Sequence, residues 1–172
     1  MNRTVLYVAH PLAPTPEELH FARETLPEAR APMAAGILVK RNIERAMAWL
    51  AWLRRSFPGD TFMAPWIASC LAGADDDDAA QREAGLRDAC AVVTRCDGIV
   101  LCGPRISSGM VRERDHGVTW SPLGAAFVVY DLTSGALVEP PASGTGFDGP
   151  CPWTLKEWYD IRDKMRWSEV VP

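Results

Sequence analysis

The chemistry-bearing residues of this 172-residue chain gather in one stretch, Cys96-Asp97-Gly98-Ile99-Val100-Leu101-Cys102-Gly103-Pro104-Arg105-Ile106-Ser107-Ser108-Gly109-Met110-Val111-Arg112-Glu113. Gly98–Cys102 is almost wholly apolar, the pattern of a strand buried on both faces. A polar, glycine-containing loop follows, and then a helix running to Gly117 whose first turns carry Glu113. The N–H groups at such a helix start, with the hydroxyls of Ser107 and Ser108 beside them, can hold a phosphate or another anion. A carboxylate one turn further in then faces the edge of the sheet. The same carboxylate also fits an exposed acidic residue near a helix N-terminus, where the dipole favours it. His10 is a second candidate, because it ends the first strand and ligands of open parallel sheets bind outside that edge. His20 and His116 stand far from it in sequence.

Other patterns carry less. Gly144-Thr145-Gly146-Phe147-Asp148-Gly149 has the G-x-G-x-x-G form, but Pro140-Pro141 before it and Pro150 after it deny it the strand and helix that the dinucleotide loop needs. The run Asp75–Asp78 reads as the acidic start of a helix, since a Mg²⁺ or Ca²⁺ loop needs alternating ligands and a glycine. The five cysteines, at 70, 90, 96, 102 and 151, include no Cys-x-x-Cys pair and read as reduced, mostly buried thiols. No metal and no cofactor is expected.

These residues need elements to hold them. Thr4–Ala9 is β-branched and aromatic, as a first buried strand requires, and His10-Pro11 ends it. A Pro-punctuated excursion from Pro11 to about Gly36 contains a short helix over Glu17–Thr25. Asn42 then caps a helix in which Ile43, Ala46, Met47, Leu50, Leu53 and Phe57 recur at helical spacing, closed by Pro58-Gly59. Thr61–Ala64 is a second strand stopped by Pro65, Ala79–Arg95 a further helix, and Ala125–Tyr130 a last apolar strand. Continuous apolar strands alternating with amphipathic helices predict a single α/β domain, Rossmann-like or flavodoxin-like, with an open, mostly parallel sheet of about 4–5 strands and helices on both faces. That domain spans residues 1–134. A Gly/Pro-rich loop, 135–152, and a Trp-rich helix, 153–172, opened by Thr154-Leu155-Lys156-Glu157, follow it. Trp49 and Trp52 fall off the Ile43–Leu50–Phe57 stripe, which predicts a second contact face for another subunit or for the chain's own tail.

Eighteen Lys and Arg against 22 Asp and Glu leave a net charge of −4, the wrong sign for a protein that coats duplex nucleic acid. No apolar run approaches the ~18 residues of a membrane span. With no leader segment in view, the expectation is a soluble, cytoplasmic protein without a membrane partner.

Tyr7-Val8-Ala9-x-Pro11, Asn42-Ile43-x-x-Ala46, Pro65 after the second strand, and the block from Cys96-Asp97 to Glu113 together resemble the nucleoside 2-deoxyribosyltransferase superfamily. That superfamily includes nucleotide N-glycosidases and short phage and bacterial relatives of unknown function. The resemblance covers about residues 4–130, and its most specific part is Ser107-x-Gly109-x-x-x-Glu113. It implies that Glu113 is the nucleophile that attacks C1′ of the sugar, that Tyr7 orients it by a hydrogen bond, and that Asp88 interacts with the base. With it, the expected substrate contacts are His10, Pro11, Gly103, Arg105, Ser107, Ser108, Gly109 and Arg112, His10 by its place at the sheet edge, where the superfamily usually has Gly. Six residues before the nucleophile, nucleoside-using transferases carry Asp and nucleotide N-glycosidases carry a Ser that contacts the 5′-phosphate. Ser107, flanked by Arg105 and Arg112, favours a 5′-monophosphate. The implied chemistry is coherent, because an oxocarbenium-like state is stabilised, and can be trapped, by an ionised carboxylate. The expected activity is cleavage or exchange of an N-glycosidic bond in a nucleoside or nucleotide through a glycosyl-Glu113 intermediate. The alternative is a module of the same fold that binds or senses a nucleotide without cleaving it. Members of the superfamily complete their pockets from a neighbouring subunit, which implies a homo-oligomer.

Overall fold

Among the described residues four short strands, Val5–Ala9 (β1), Thr61–Met63 (β2), Gly98–Leu101 (β3) and Val128–Asp131 (β4), pair in parallel in the order β2-β1-β3-β4. The computed structural model describes residues 4–25, 31–73 and 78–133. Its helices are α1 (Pro16–Thr25), α2 (Ala31–Ser56), α3 (Pro65–Leu71), α4 (Ala79–Val93) and α5 (Ser108–Trp120). The predicted loop 135–152, the Trp-rich helix 153–172 and Asp75–Asp77 lie outside the described residues, as does Cys151.

The sheet is covered on both sides because its strands alternate between two apolar faces. Leu6, Val8, Val100 and Cys102 point to one side and pack with Trp49, Trp52 and Leu53 of α2 and with Phe57 just after it. Tyr7, Ala9, Ile99 and Leu101 point to the other, against Ala89 and Val93 of α4 and Met110 of α5. This is the predicted open parallel α/β sheet, and its strand order agrees with a flavodoxin-like fold. From β1 the chain moves outward to β2, and from β3 it moves outward to β4. A crevice therefore opens beyond the ends of β1 and β3, where the order reverses.

Asp97 sets the register between those two strands. Its carboxylate accepts the Val5 N–H at 2.6 Å, and its own N–H donates to the Val5 carbonyl at 2.7 Å. Tyr7 then lies opposite Ile99.

The elements depart from expectation in four places. The long helix starts at Ala31, eleven residues before Asn42, and Asn42 is no cap: its amide donates to the Leu12 carbonyl at 2.9 Å. Pro32 does not prevent this, because the first turn of a helix needs no N–H at that position. Pro65 does more than stop β2, since it opens α3, a helix too short to show as a periodicity. Trp49 and Trp52 do not form an outer contact face. They are buried on the sheet while Ile43 and Ala46 pack against Ile67 of α3, so α2 is covered on two sides. At its end, Ala125–Tyr130 divides into a 3₁₀ turn, Gly124–Ala126, and β4. Among the described residues no helix is long and apolar enough to cross a membrane.

Candidate active site

A cavity of about 430 Å³ occupies the crevice. It is walled by His10 after β1, by Pro65 and Trp66 of α3, by one face of α4, and by the start of α5 with the loop before it. Leu12 to Glu17, the segment leading into α1, form the remaining wall. This size suits a small molecule with a few polar anchors.

Glu113 stands on the buried stripe of α5 with Met110 and Gly117, and it reaches the cavity. Tyr7 is completely buried behind it on β1, and its hydroxyl donates to Glu113 Oε1 at 2.8 Å. Burial raises the Glu113 carboxyl to about 7, and the Tyr7 hydrogen bond opposes that rise. The Tyr7 phenol is itself driven far above its usual value, by burial first and by the Glu113 charge second. Tyr7 therefore remains a donor wherever the protein is folded, and Glu113 changes charge near neutrality. A group poised in this way is suited to acid, base or nucleophilic work.

His10 lines the cavity but is only 6% exposed. Its Nδ1 lies 2.8 Å from the Pro11 carbonyl, which can only accept, so the ring proton belongs on Nδ1 and Nε2 presents a lone pair. Nε2 is buried without a partner among the described residues. Burial pushes the imidazole down to about 4, against the opposing effect of the Pro11 bond, and the ring is neutral at physiological pH.

The other predicted contacts fall into two groups. Arg105, Ser107, Ser108, Gly109 and Asp88 all line the cavity. Ser107 is the N-cap of α5, accepting the Met110 N–H at 3.3 Å. Arg105 donates through Nη2 to the Ala13 carbonyl at 2.6 Å, which ties the α1-side wall to the β3–α5 loop. Pro11, Gly103 and Arg112 do not line the cavity. Gly103 has φ +99°, and a Cβ on it would lie 2.9 Å from His10 Nε2 and 3.0 Å from Pro11 Cδ. Gly103 and Pro11 thus seat the His10 ring from behind. Arg112 points to solvent, where it grips Glu83 with two hydrogen bonds of 2.7 and 2.6 Å. Nothing in the sequence placed Glu83, 29 positions earlier, beside it.

Sequence reasoning missed Trp66 and Leu86, whereas the wall from Leu12 to Glu17 comes from the Pro-punctuated excursion after β1, a long loop of the kind that binds ligands. The available signal for Trp66 was the Pro65-Trp66 pair directly after a strand, the place where a helix can start and face the sheet edge.

Fold and site together define an open parallel α/β domain with a buried tyrosine–carboxylate pair at the switch point of its sheet. The chain belongs to the family described as a domain of unknown function (DUF7768), which matches residues 30–120, just over half of its length. That span includes Asp88, Arg105, Ser107 and Glu113, while Tyr7 and His10 precede it. No curated protein and no solved structure matches the chain.

Proposed function

We propose that this protein cleaves or exchanges the N-glycosidic bond of a nucleoside or a nucleoside 5′-monophosphate, with Glu113 as nucleophile. The observation that carries the reading is the buried 2.8 Å bond from Tyr7 to Glu113 Oε1 at the cavity wall. Tyr7 engages Oε1 and leaves Oε2 for the sugar. Oε2 attacks C1′ as the bond to the base breaks with its electron pair leaving on the base nitrogen, which gives a glycosyl ester. Water or a second base then attacks C1′, the ester C–O bond breaks to free the carboxylate, and the proton the attacker sheds balances the one taken up by the departed base nitrogen. Asp88 lines the same cavity, which supports its assignment to the base. Ser107, Ser108 and the first N–H groups of α5, with Arg105 beside them, support a 5′-phosphate at the helix start. The superfamily resemblance carries a homo-oligomer with it, which sizing chromatography with light scattering checks.

The test is incubation with a panel of nucleosides and 5′-monophosphates, with chromatography for released base. Release is expected from at least one substrate, rising with pH through about 7 as Glu113 ionises. Glu113→Gln is expected to slow it by roughly 10³-fold or more. No release above background, or equal release by the variant, overturns the reading. A nucleotide that raises Tm yet survives long incubation intact assigns the cavity to binding without cleavage.

A further inference from the structure

Trp66 occupies a position that the ladder of β1 and β2 leaves open. The Thr61 N–H donates to the Thr4 carbonyl at 2.8 Å, and successive bonds along this edge of β1 fall two residues apart. The Val8 carbonyl is therefore due a bond from residue 65, which is Pro and has no N–H. The indole Nε1 of Trp66 takes that acceptor at 3.0 Å. This bond turns the polar edge of the ring into the sheet and uses its one donor. What the ring can still offer a ligand is its apolar, polarisable surface. Trp66 is half-buried between two parts of the core, the Ile43, Ala46 and Ile67 cluster and the cluster that contains Ala89 and Val93, and it lines the cavity with what remains exposed. Among the described residues no other Trp, Tyr or Phe lines that cavity, and much of the remaining wall is aliphatic, with Leu12, Pro14, Leu86 and Val92. A fixed aromatic ring in an apolar wall recognises a flat, weakly polar heterocycle by stacking, which is tolerant of the pattern of donors and acceptors around its edge.

We propose that Trp66 is the platform on which the base of the ligand stacks, so that it determines affinity for the base and leaves the sugar phosphate to other groups. This rests on the nucleotide reading above and adds to it the residue that holds the base. Stacking accepts either ring system, and purines, with the larger face, gain more from it than pyrimidines.

Calorimetric titration of the Glu113→Gln protein compares adenosine 5′-monophosphate with ribose 5-phosphate, and the 2′-deoxy nucleotide with its own sugar phosphate. Adding Trp66→Leu is expected to weaken the nucleotides by roughly 10–100-fold and leave the sugar phosphates unchanged, with Trp66→Phe between the two. Equal weakening of both ligand types, or of neither, overturns the proposal. If Trp66→Leu does not fold, tryptophan emission decides: nucleotide quenches it in the Glu113→Gln protein, and the quench must vanish in Trp66→Phe. A quench that persists there also overturns it. If the wild-type chain releases no base and binds neither nucleotide nor sugar phosphate, the glycosidase reading falls and takes the stacking role with it. If base is released while Trp66→Leu keeps full nucleotide affinity, the stacking role alone falls.

Discussion

The two faces of the sheet are built from alternate residues of the same strands and do different work. On the Leu6 and Val8 side the contacts are apolar and aromatic, with Trp49 edge-on to Trp52 at 5.7 Å and Trp52 edge-on to Phe57 at 6.0 Å between ring centres. On the Tyr7 and Ala9 side the core is similarly apolar, yet it carries a carboxyl group, Glu113, at 7% exposure. Burying a carboxylate is unfavourable unless a donor meets it, and the Tyr7 hydroxyl is that donor. The first face stabilises the fold by area removed from water. The second gives up part of that stabilisation to hold an ionisable group beside a cavity, which is the arrangement expected of a functional site.

A substitution on either face tests this division of work. Trp49→Ala should cost about 3–5 kcal/mol in urea denaturation, because it opens a hole in the aromatic side, and a loss well below that makes this face less close-packed than described. Glu113→Gln should behave in the opposite sense. The native carboxyl keeps its proton to about 7 while the unfolded chain loses it near 4.5, so stability owed to the protonated group is present below 4.5 and is lost as pH rises to 7. The variant should therefore gain on wild type by about 3 kcal/mol across that window. His10 works the other way: its native pKa is about 4 against 6.5, so its stability is present above 6.5 and is lost as pH falls through 4. Denaturation at pH 4, 5, 6 and 8 should show the Glu113→Gln protein rising in stability with pH relative to wild type. A constant difference would mean that Glu113 titrates in the folded protein as it does in the unfolded chain.

Smaller effects sharpen the contrast. Tyr7→Phe keeps the buried ring and removes only the donor, so kcat/KM should fall about 10-fold or somewhat more. Its acid limb should move to higher pH, because the hydroxyl is what opposes the rise of the Glu113 carboxyl. An unmoved limb would separate Tyr7 from the titrating group. Arg112→Ala should leave both activity and Tm at wild-type values, since its guanidinium pairs with Glu83 in solvent and does not line the cavity.

Much of the fold was legible because its signals are local. Val5–Ala9 and Gly98–Leu101 are apolar runs that end in turn chemistry, and Asp78 caps α4 through the Ala80 and Gln81 N–H groups as a helix start should be capped. The start of α2 was not legible, because Pro32 in the sequence looks the same whether it breaks a helix or sits in its first turn. That α2 has a second contact face was legible from Trp49 and Trp52, but not that the sheet covers it, since a stripe of apolar residues does not name its partner, and Lys40, Arg41, Glu44, Arg54 and Arg55 keep a polar face in either case.

At the site the division follows the same line. The residue types and the Ser107-x-Gly109-x-x-x-Glu113 spacing by themselves put a hydroxyl cap and a carboxylate on one helix start after a buried strand, because capping and helical period act within a few residues. Only the tertiary structure decided that Tyr7, 106 positions away, meets Glu113, that Arg112 is drawn off to Glu83, and that Gly103 is needed to seat His10. Those outcomes depend on parallel pairing of β1 with β3 and on the packing of α4 against α5, which join residues far apart in the chain and leave no periodic mark in it.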